Sequence, residues 1–121
     1  MGRATITAAG RARIRNRIDE VVGQVTEEVY TDARRYCPID LGALYRSLRT
    51  ARPRPLVGQV WVGSDHWLYV EYPTRPHEIR SRGPWLLRNR RTGQVFGYRV
   101  WHPGTQAQPF MRMALYQTRR L

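Results

Sequence analysis

The residues in this sequence that are most able to act in catalysis or metal binding are three histidines and one cysteine. His66, His77 and His102 show no HxxxH spacing, and the lone Cys37 gives no CxxC pair, so the sequence predicts no metal site. Cys37 and His102 form an imaginable nucleophilic pair, but a cysteine at a helix end before proline is more often a packing residue. We therefore expect no catalytic residue, no metal and no cofactor.

One acid, Glu71, stands between aromatic residues, where burial raises the pKa of a carboxyl group. An isolated carboxylate lacks the partner that acid–base catalysis needs. The ten glycines occur singly, so they form no phosphate-binding loop. We interpret Glu71 as a structural acceptor for a turn or for an arginine, and we expect a protein that is not an enzyme.

The length of 121 residues fits one domain with one modest core. No apolar run approaches the eighteen or so residues that a membrane span requires, and the N-terminal sequence has arginines where a secretory signal has an apolar segment. One cysteine cannot form an internal disulfide. These observations predict a soluble protein made in a cytosol and stabilised by packing.

The net charge of +12 comes entirely from arginine, because the chain contains no lysine. Such a charge suggests contact with nucleic acid, although a coding bias towards arginine explains it as well. The densest basic clusters are Arg88, Arg90 and Arg91, and four arginines near the N-terminus. Neither cluster is interleaved with aromatic residues. The N-terminal four are the candidates for facing a DNA channel or a partner: Arg11, Arg13, Arg15 and Arg17.

A long amphipathic helix is predicted over residues 14–37, because apolar residues recur there every three or four positions. In the longest interpretation the helix starts at Thr7. If it starts at residue 14, residues 1–13 form a flexible or intersubunit arm. Pro38 ends it. A helix of roughly 25 to 30 residues is about 38 to 45 Å long, whereas the radius of gyration of such a domain is about 14 Å. The helix should overhang, unless it lies along its own sheet.

The remaining elements predict an α+β fold in one domain. Residues 38–49 form a short helix capped by Asp40, a turn follows at Arg52–Pro55, and residues 56–102 form the β-sheet region. Within that region, 67–72 favours a short helix over a strand, and Thr92-Gly93 marks a hairpin turn. Residues 94–102 have apolar groups on both faces, which predicts a strand that is central or covered by another subunit. Residues 109–119 form a C-terminal helix with a buried stripe of Phe110, Met113, Ala114 and Gln117. We expect the long N-terminal and short C-terminal helices to pack on a small, mainly antiparallel β-sheet.

The four tryptophans and seven tyrosines exceed what one small core usually holds. Aromatic residues and arginine are enriched in protein interfaces. The tryptophans are therefore candidate interface residues: Trp61, Trp67, Trp85 and Trp101.

The order of motifs resembles the tail-component, or tail-completion, family of long-tailed bacteriophages, over roughly residues 29–115. CPIDLGALYRSL (37–48) is similar to the family's P-[IV]-D-T-G-x-L-x-x-S-[IL], VWVG and WLYVEY follow at 60–72, and HPGTQAQPFM (102–111) is similar to H-P-G-[TS]-x-x-x-P-F-[LM]. Leu41 and Pro73 depart from it, standing where the family has Thr or Ser and Gly. The matching positions, which the resemblance implies are structural, are Pro38, Asp40, Gly42, Leu44, Ser47, Glu71, Thr74, His102, Pro103, Gly104, Pro109 and Phe110.

The resemblance implies a virion protein of the siphophage head-to-tail connector, assembled in the host cytoplasm. Its partners would be copies of itself in a ring, hexameric by family analogy, a head-side closure or adaptor protein, and a tail-terminator or tail-tube protein. Non-specific contact with DNA in the channel would accompany this role. The alternative from the residues themselves is a basic nucleic-acid-binding module.

Overall fold

The computed structural model describes residues 2–40 and 42–120. The chain order is α1 (Ala8–Tyr36), α2 (Ala43–Ser47), β1 (Leu48–Arg54), β2 (Val57–Val62), α3 (Trp67–Glu71), β3 (His77–Arg80), β4 (Leu87–Arg88), β5 (Val95–Gly97), β6 (Arg99–His102) and α4 (Met111–Leu115). The α+β class is confirmed, with a long N-terminal helix, a short C-terminal helix and small antiparallel sheets. Among the described residues, no helix combines the length and hydrophobicity needed to cross a bilayer.

Helix α1 begins six residues before the predicted position 14, at the early limit that the sequence allowed. The hydroxyl of Thr7 accepts a hydrogen bond from the backbone N–H of Gly10 at 3.0 Å and so caps the first turn. Residues 8–13 of the predicted arm are therefore helical, and Met1 lies outside the described residues. The helix ends as predicted, because Cys37 is extended before Pro38. Its 29 residues span about 44 Å.

The predicted helix over 38–49 is wrong at both ends. Gly42 is the N-cap residue of α2, and its φ of 77° is left-handed, which glycine adopts without strain. Asp40 is not the cap. It stands two residues before this turn, with its carboxylate 3.6 Å from the guanidinium of Arg91. Leu48 is extended and begins β1, while Leu41 of the predicted helix lies outside the described residues.

The β region also begins earlier than residue 56. The segment Arg52–Pro55, predicted as a turn, continues β1 to Arg54, and the chain reverses at Pro55 and Leu56, whose φ is 66°. Pro53 lacks an N–H, which a strand paired on only one side tolerates. The carboxylate of Asp19 accepts a hydrogen bond from the N–H of Leu56 at 2.7 Å and pairs with Arg52. These bonds fasten the β1–β2 hairpin to the middle of α1.

The described strands form three two-stranded antiparallel sheets rather than one sheet: β1–β2, β3–β6 and β4–β5. The predicted strand 94–102 breaks after Gly97, whose φ of 91° favours glycine. Its halves, β5 and β6, therefore pair with different partners. Neither half is central in its two-stranded sheet, so that alternative is wrong. Tyr98 and Trp101 are exposed, and their cover by another subunit stays a prediction.

The core is a small cluster where the C-terminal half of α1 meets α2, the start of β1, and α4. Its buried apolar residues are Ala33, Cys37, Leu44, Leu48, Phe110 and Ala114. The predicted C-terminal helix 109–119 is too long, since α4 ends at Leu115. Beyond it, the guanidinium of Arg119 donates to the carbonyl of Ala114 and pairs with Asp32 of α1 at 2.8 Å, which turns the chain back. Phe110 and Ala114 are buried as predicted, but Met113 is exposed.

Candidate functional site

Two of the histidines that the sequence places far apart meet in the fold. His77 of β3 lies directly opposite His102 of β6, with ring centroids 5.2 Å apart. Nδ1 of His77 lies 2.7 Å from the carbonyl of Arg75, and Nδ1 of His102 accepts the N–H of Gly104 at 3.0 Å. Because Nδ1 of His102 is the acceptor in this hydrogen bond, its lone pair is not available to bind a metal. Residues 2–40 and 42–120 contain no cluster of three or more His, Cys, Asp or Glu able to hold a metal.

Cys37 is a core residue. Its Sγ lies 3.5 Å from the carbonyl oxygen of Pro38, and burial raises the pKa of the thiol. A buried, protonated thiol is a poor nucleophile because the thiolate is the reactive form. The geometry therefore favours packing as the role of Cys37.

Glu71 joins two helices that are forty residues apart in sequence. Its side chain is 1% exposed, and its two carboxylate oxygens accept the backbone N–H groups of Phe110, Met111 and Arg112, each at 3.0 Å. The Arg112 guanidinium adds a bond of 2.9 Å to the carboxylate and a bond of 2.7 Å to the Glu71 carbonyl. Glu71 therefore satisfies the free N–H groups at the start of α4, the structural role that the sequence favoured.

These donors also decide the protonation of Glu71. Burial alone would raise the pKa of the carboxyl group, but the backbone N–H groups of Arg112, Phe110 and Met111 and the Arg112 guanidinium outweigh burial and hold the pKa below its ordinary value of 4.5. The carboxylate is thus charged at neutral pH. A group held as an anion by four donors is an acceptor and not a general acid.

The motif residues near His102 perform a similar structural task. Thr74 and Thr105 exchange backbone hydrogen bonds of 3.1 and 3.2 Å, and their hydroxyls lie 2.8 Å apart. Gly104 has a φ of 84°, and a Cβ at this position would stand 2.4 Å from the carbonyl oxygen of Thr74. Only glycine fits this approach. The loop from His102 to Phe110 is thereby fixed against the loop that follows α3.

The chain exposes far more surface than its mass predicts. Its accessible surface is 10046 Å² for 14.2 kDa, whereas a folded monomer of this mass exposes roughly 6,800 Å². The excess is about half of the expected value. A specific interface takes about 800 Å² from each partner, so the excess provides the area of more than two such patches.

Part of this surface lies on the N-terminal portion of α1. Asp19 marks the point where the β1–β2 hairpin first holds the helix, and we call residues 8–18 the overhang. Except for Gly10, every side chain of the overhang is exposed. Ile14 and Ile18 are 50% and 48% exposed, although they continue the apolar stripe of the buried half of α1. The overhang therefore presents an apolar surface that this chain does not cover.

A second apolar surface lies beside the first. An open groove of about 540 Å³ runs between α1, β2, α3 and α4. Its walls include Val22, Val25, Val60, Trp67, Met111 and Leu115. The groove and the overhang differ in shape, since one is concave and the other is a projecting helix.

The four tryptophans divide into two groups. Trp61, Trp85 and Trp101 are exposed, with Trp85 at 72% and Trp101 at 66%. Trp67 instead packs against the core and forms part of the groove wall. Trp67 therefore lines a groove instead of projecting into solvent, and its role in an interface stays a prediction.

Arg11, Arg13, Arg15 and Arg17 are all exposed on the overhang. Each residue turns a helix by about 100°, so Arg11 and Arg15 lie on one side while Arg13 and Arg17 lie on the other. Arg17 forms an ion pair of 3.1 Å with Glu20, one turn along the helix. One straight DNA segment therefore meets only one side of this cluster.

The hairpin over residues 81–98, with the turn predicted at Thr92-Gly93, is confirmed and forms a further exposed surface. We call it the arm. Pairing of β4 with β5 places Arg88 opposite Val95, close to exposed Phe96, so arginine and apolar residues share one ribbon. They are separated in sequence by the turn, and only the strand pairing brings them together.

Comparison with known proteins gives no relative: no protein-family model, no curated protein and no solved structure matches this chain. Function must therefore be inferred from the residues and their geometry.

Proposed function

We propose that this chain is a structural subunit of a bacteriophage head-to-tail connector that assembles as a ring around the DNA channel. The ring is a tail-completion or tail-terminator-adjacent component, hexameric by analogy with the family that the motifs resemble, and joins a head-closure protein to a tail-tube protein. The observation that carries the proposal is the exposed surface of 10046 Å², about half again the value for a free monomer.

The shapes of the two apolar surfaces support a ring. Closed cyclic assembly needs two different surfaces on each copy, one of which binds the other on the next copy. The overhang, with Ile14 and Ile18, supplies a projecting apolar surface, and the groove beside Val25 and Trp67 supplies a concave one. Each copy then uses its overhang on one neighbour and its groove on the other.

Charge along α1 favours the same arrangement. The first eighteen residues of the chain contain five arginines and no acid. The remainder of α1 carries five acids, among which Glu20 and Glu27 are exposed. A staggered, parallel contact between two copies of α1 brings the basic portion of one next to the acidic portion of the other. Such complementarity guides association and sets its register.

The motif residues fit this role as scaffold. Glu71 holds the start of α4, Gly104 and Thr74 hold the preceding loop, and Leu44 and Phe110 belong to the core. They fix the positions of α3 and α4, which form walls of the groove. In this proposal the family motif serves assembly through the shape of the groove.

The test is whether the protein is present in particles. Mass spectrometry of purified virions of the encoding phage should detect the chain, and electron microscopy with a labelled antibody should locate it at the neck. Absence of the chain from complete particles would contradict the proposal.

A second function, a nucleic-acid-binding module, is favoured by the exposed arginines of the overhang. Such a module would bind DNA tightly at low salt, and its affinity would fall steeply as salt rises. Its distinguishing prediction is binding by a monomer that does not assemble. Weak binding with no change between low and moderate salt would remove this second candidate.

A further inference from the structure

The positive charge of the chain is divided between two acid-free regions. Residues 1–18 contain five arginines, and residues 79–121 contain nine, while neither region contains an acid. All nine acids lie in residues 19–78, together with seven arginines. The net charge of +12 therefore belongs to the two ends of the sequence, and the C-terminal region carries most of it.

Within the C-terminal region, the arm is built around a defined turn. The Asn89 side-chain oxygen accepts the backbone N–H groups of Arg91 and Thr92 at 2.9 and 3.1 Å, and the N–H of Gly93 bonds the Asn89 carbonyl at 2.8 Å. Gly93 supplies the positive φ, 75°, that the turn requires. The turn thus holds Arg88 and Arg90 at the end of a two-stranded ribbon.

Several arginines of the arm are not used by the fold. Arg82, Arg88 and Arg90 are exposed and form no ion pair with any residue that the structure describes. Arg91 has an ion pair with Asp40 at 3.6 Å, but both groups face solvent, and such pairs contribute little. This differs from Arg112 and Arg119, whose guanidinium groups hold α4 and the C-terminal segment.

Exposed aromatic residues accompany these arginines. Trp85 lies over the backbone of Gly83, where an added Cβ would stand 2.2 Å from the indole ring. Phe96 and Tyr98, which follow the turn in the chain, are also exposed. The same hairpin thus carries exposed rings and exposed guanidinium groups, and we expect these to contact sugars and phosphates, respectively. The arm therefore has both components of a surface that binds a nucleic-acid backbone.

We propose that the arm binds the phosphate backbone of duplex DNA through Arg82, Arg88 and Arg90, and the presence of duplex in the channel rests on the proposed function. Duplex DNA carries one charge per about 1.7 Å of axis and releases more counterions per contact than a single strand. An acid-free arm has no internal carboxylate to compete with phosphate. An acidic protein surface offers fewer, more widely spaced charges, so DNA is the better match.

The test is a salt titration of binding to a short fluorescein-labelled duplex of random sequence, followed by anisotropy. The full chain is compared with the triple variant Arg82→Ala, Arg88→Ala, Arg90→Ala. The matched control, Arg54→Ala, Arg75→Ala, Arg120→Ala, removes the same charge from exposed positions outside both the arm and the overhang. We expect the arm variant to lower the slope of log K against log salt by about 2 to 3. Its affinity at low salt should fall at least about tenfold, and the control should change the slope by less than about 1.

Two further measurements complete the experiment. Substitution of the same three residues by lysine should restore most of the slope, because a phosphate contact needs the charge more than the fork of the guanidinium. Polyglutamate should compete poorly with DNA. An equal or greater loss in the control variant, or displacement of the duplex from the full chain by polyglutamate at equal charge concentration, would overturn the proposal.

The failure of this inference can be told apart from failure of the proposed function. Native mass spectrometry of the arm variant should show the same assembly as the full chain, since the overhang and the groove are unchanged. If the full chain never assembles but its DNA binding depends on the arm, the proposed ring is contradicted and DNA binding by the arm is supported. If the full chain assembles but does not bind DNA, ring assembly is supported and DNA binding by the arm is contradicted.

Discussion

The part of the molecule around Phe110 and the part that carries the overhang use apolar side chains in opposite ways. Phe110 and Leu48 are fully buried where α1, β1 and α4 meet, and Glu71 fixes this arrangement with four donors. Ile14 and Ile18 continue the apolar stripe along which α1 packs against this core, but they face solvent. The difference indicates that one half of α1 stabilises the monomer, while the apolar side chains of the other half are exposed.

The largest effect expected on stability is that of Phe110→Ala, which should lower the free energy of unfolding by about 3–5 kcal/mol because it leaves a cavity in the core. The matched change Trp85→Ala removes a larger ring from the arm, but the ring is exposed, so the cost should be below about 1 kcal/mol. Urea denaturation followed by circular dichroism measures both. Equal losses would contradict the distinction between the buried ring of Phe110 and the exposed ring of Trp85.

Glu71→Gln should lower the free energy of unfolding by about 1–3 kcal/mol, because the amide keeps one acceptor but loses the charge that four donors stabilise. The control is Glu78→Gln, where the acid is paired with Arg80 and Arg99 on the exposed face of the β3–β6 pair. That change should be close to neutral. A Glu71 variant as stable as the parent chain would show that this connection between α3 and α4 is dispensable.

Acid should weaken the same contact. Because the folded pKa of Glu71 is lowered, its contribution is present above the unfolded value of 4.5 and is lost as pH falls through the folded pKa. Stability should therefore decrease as pH falls below 4.5, and Glu71→Gln should decrease less. Thermal unfolding of both proteins across this range measures the difference. Parallel curves would mean that other carboxylates carry the acid dependence.

The smallest effect on stability is expected from deleting residues 1–17. The side chains of residues 2–9 and 11–17 are exposed, while Asp19 and its bonds to Leu56 and Arg52 remain. The free energy of unfolding should change by less than about 1 kcal/mol. Denaturation of the shortened chain checks this, and a shortened chain that fails to fold would assign the overhang to the monomer.

The sequence predicted the local elements better than their pairing. The three- and four-residue spacing identified α1 and its end at Pro38, and the residues around Trp67 indicated α3. The break at Gly97 was missed, because strand periodicity does not show where a left-handed residue lets the two halves pair differently. The side chain of Asp40 is of a type that caps helices, but Gly42 is the N-cap residue and sets the turn. The bonds of Glu71 to Phe110 join residues 39 apart, and no local pattern encodes such a separation.

The same distinction applies to the surfaces. The length of α1 predicted an overhang, since helix length follows directly from residue number. The groove could not be predicted, because its walls come from four elements whose packing depends on long-range contacts. Likewise, the association of Arg88 with Val95 appears only after β4 and β5 are paired.

Native mass spectrometry of the full chain and of the chain lacking residues 1–17, at equal concentration, tests most directly whether the exposed half of α1 is a self-interface. If the exposed half of α1 is a self-interface, the full chain should form one closed oligomeric species and the shortened chain should remain monomeric. Ile18→Glu should behave like the deletion, because it places a charge in the apolar contact. The same oligomer from the full and shortened chains, or monomers from both, would contradict the account.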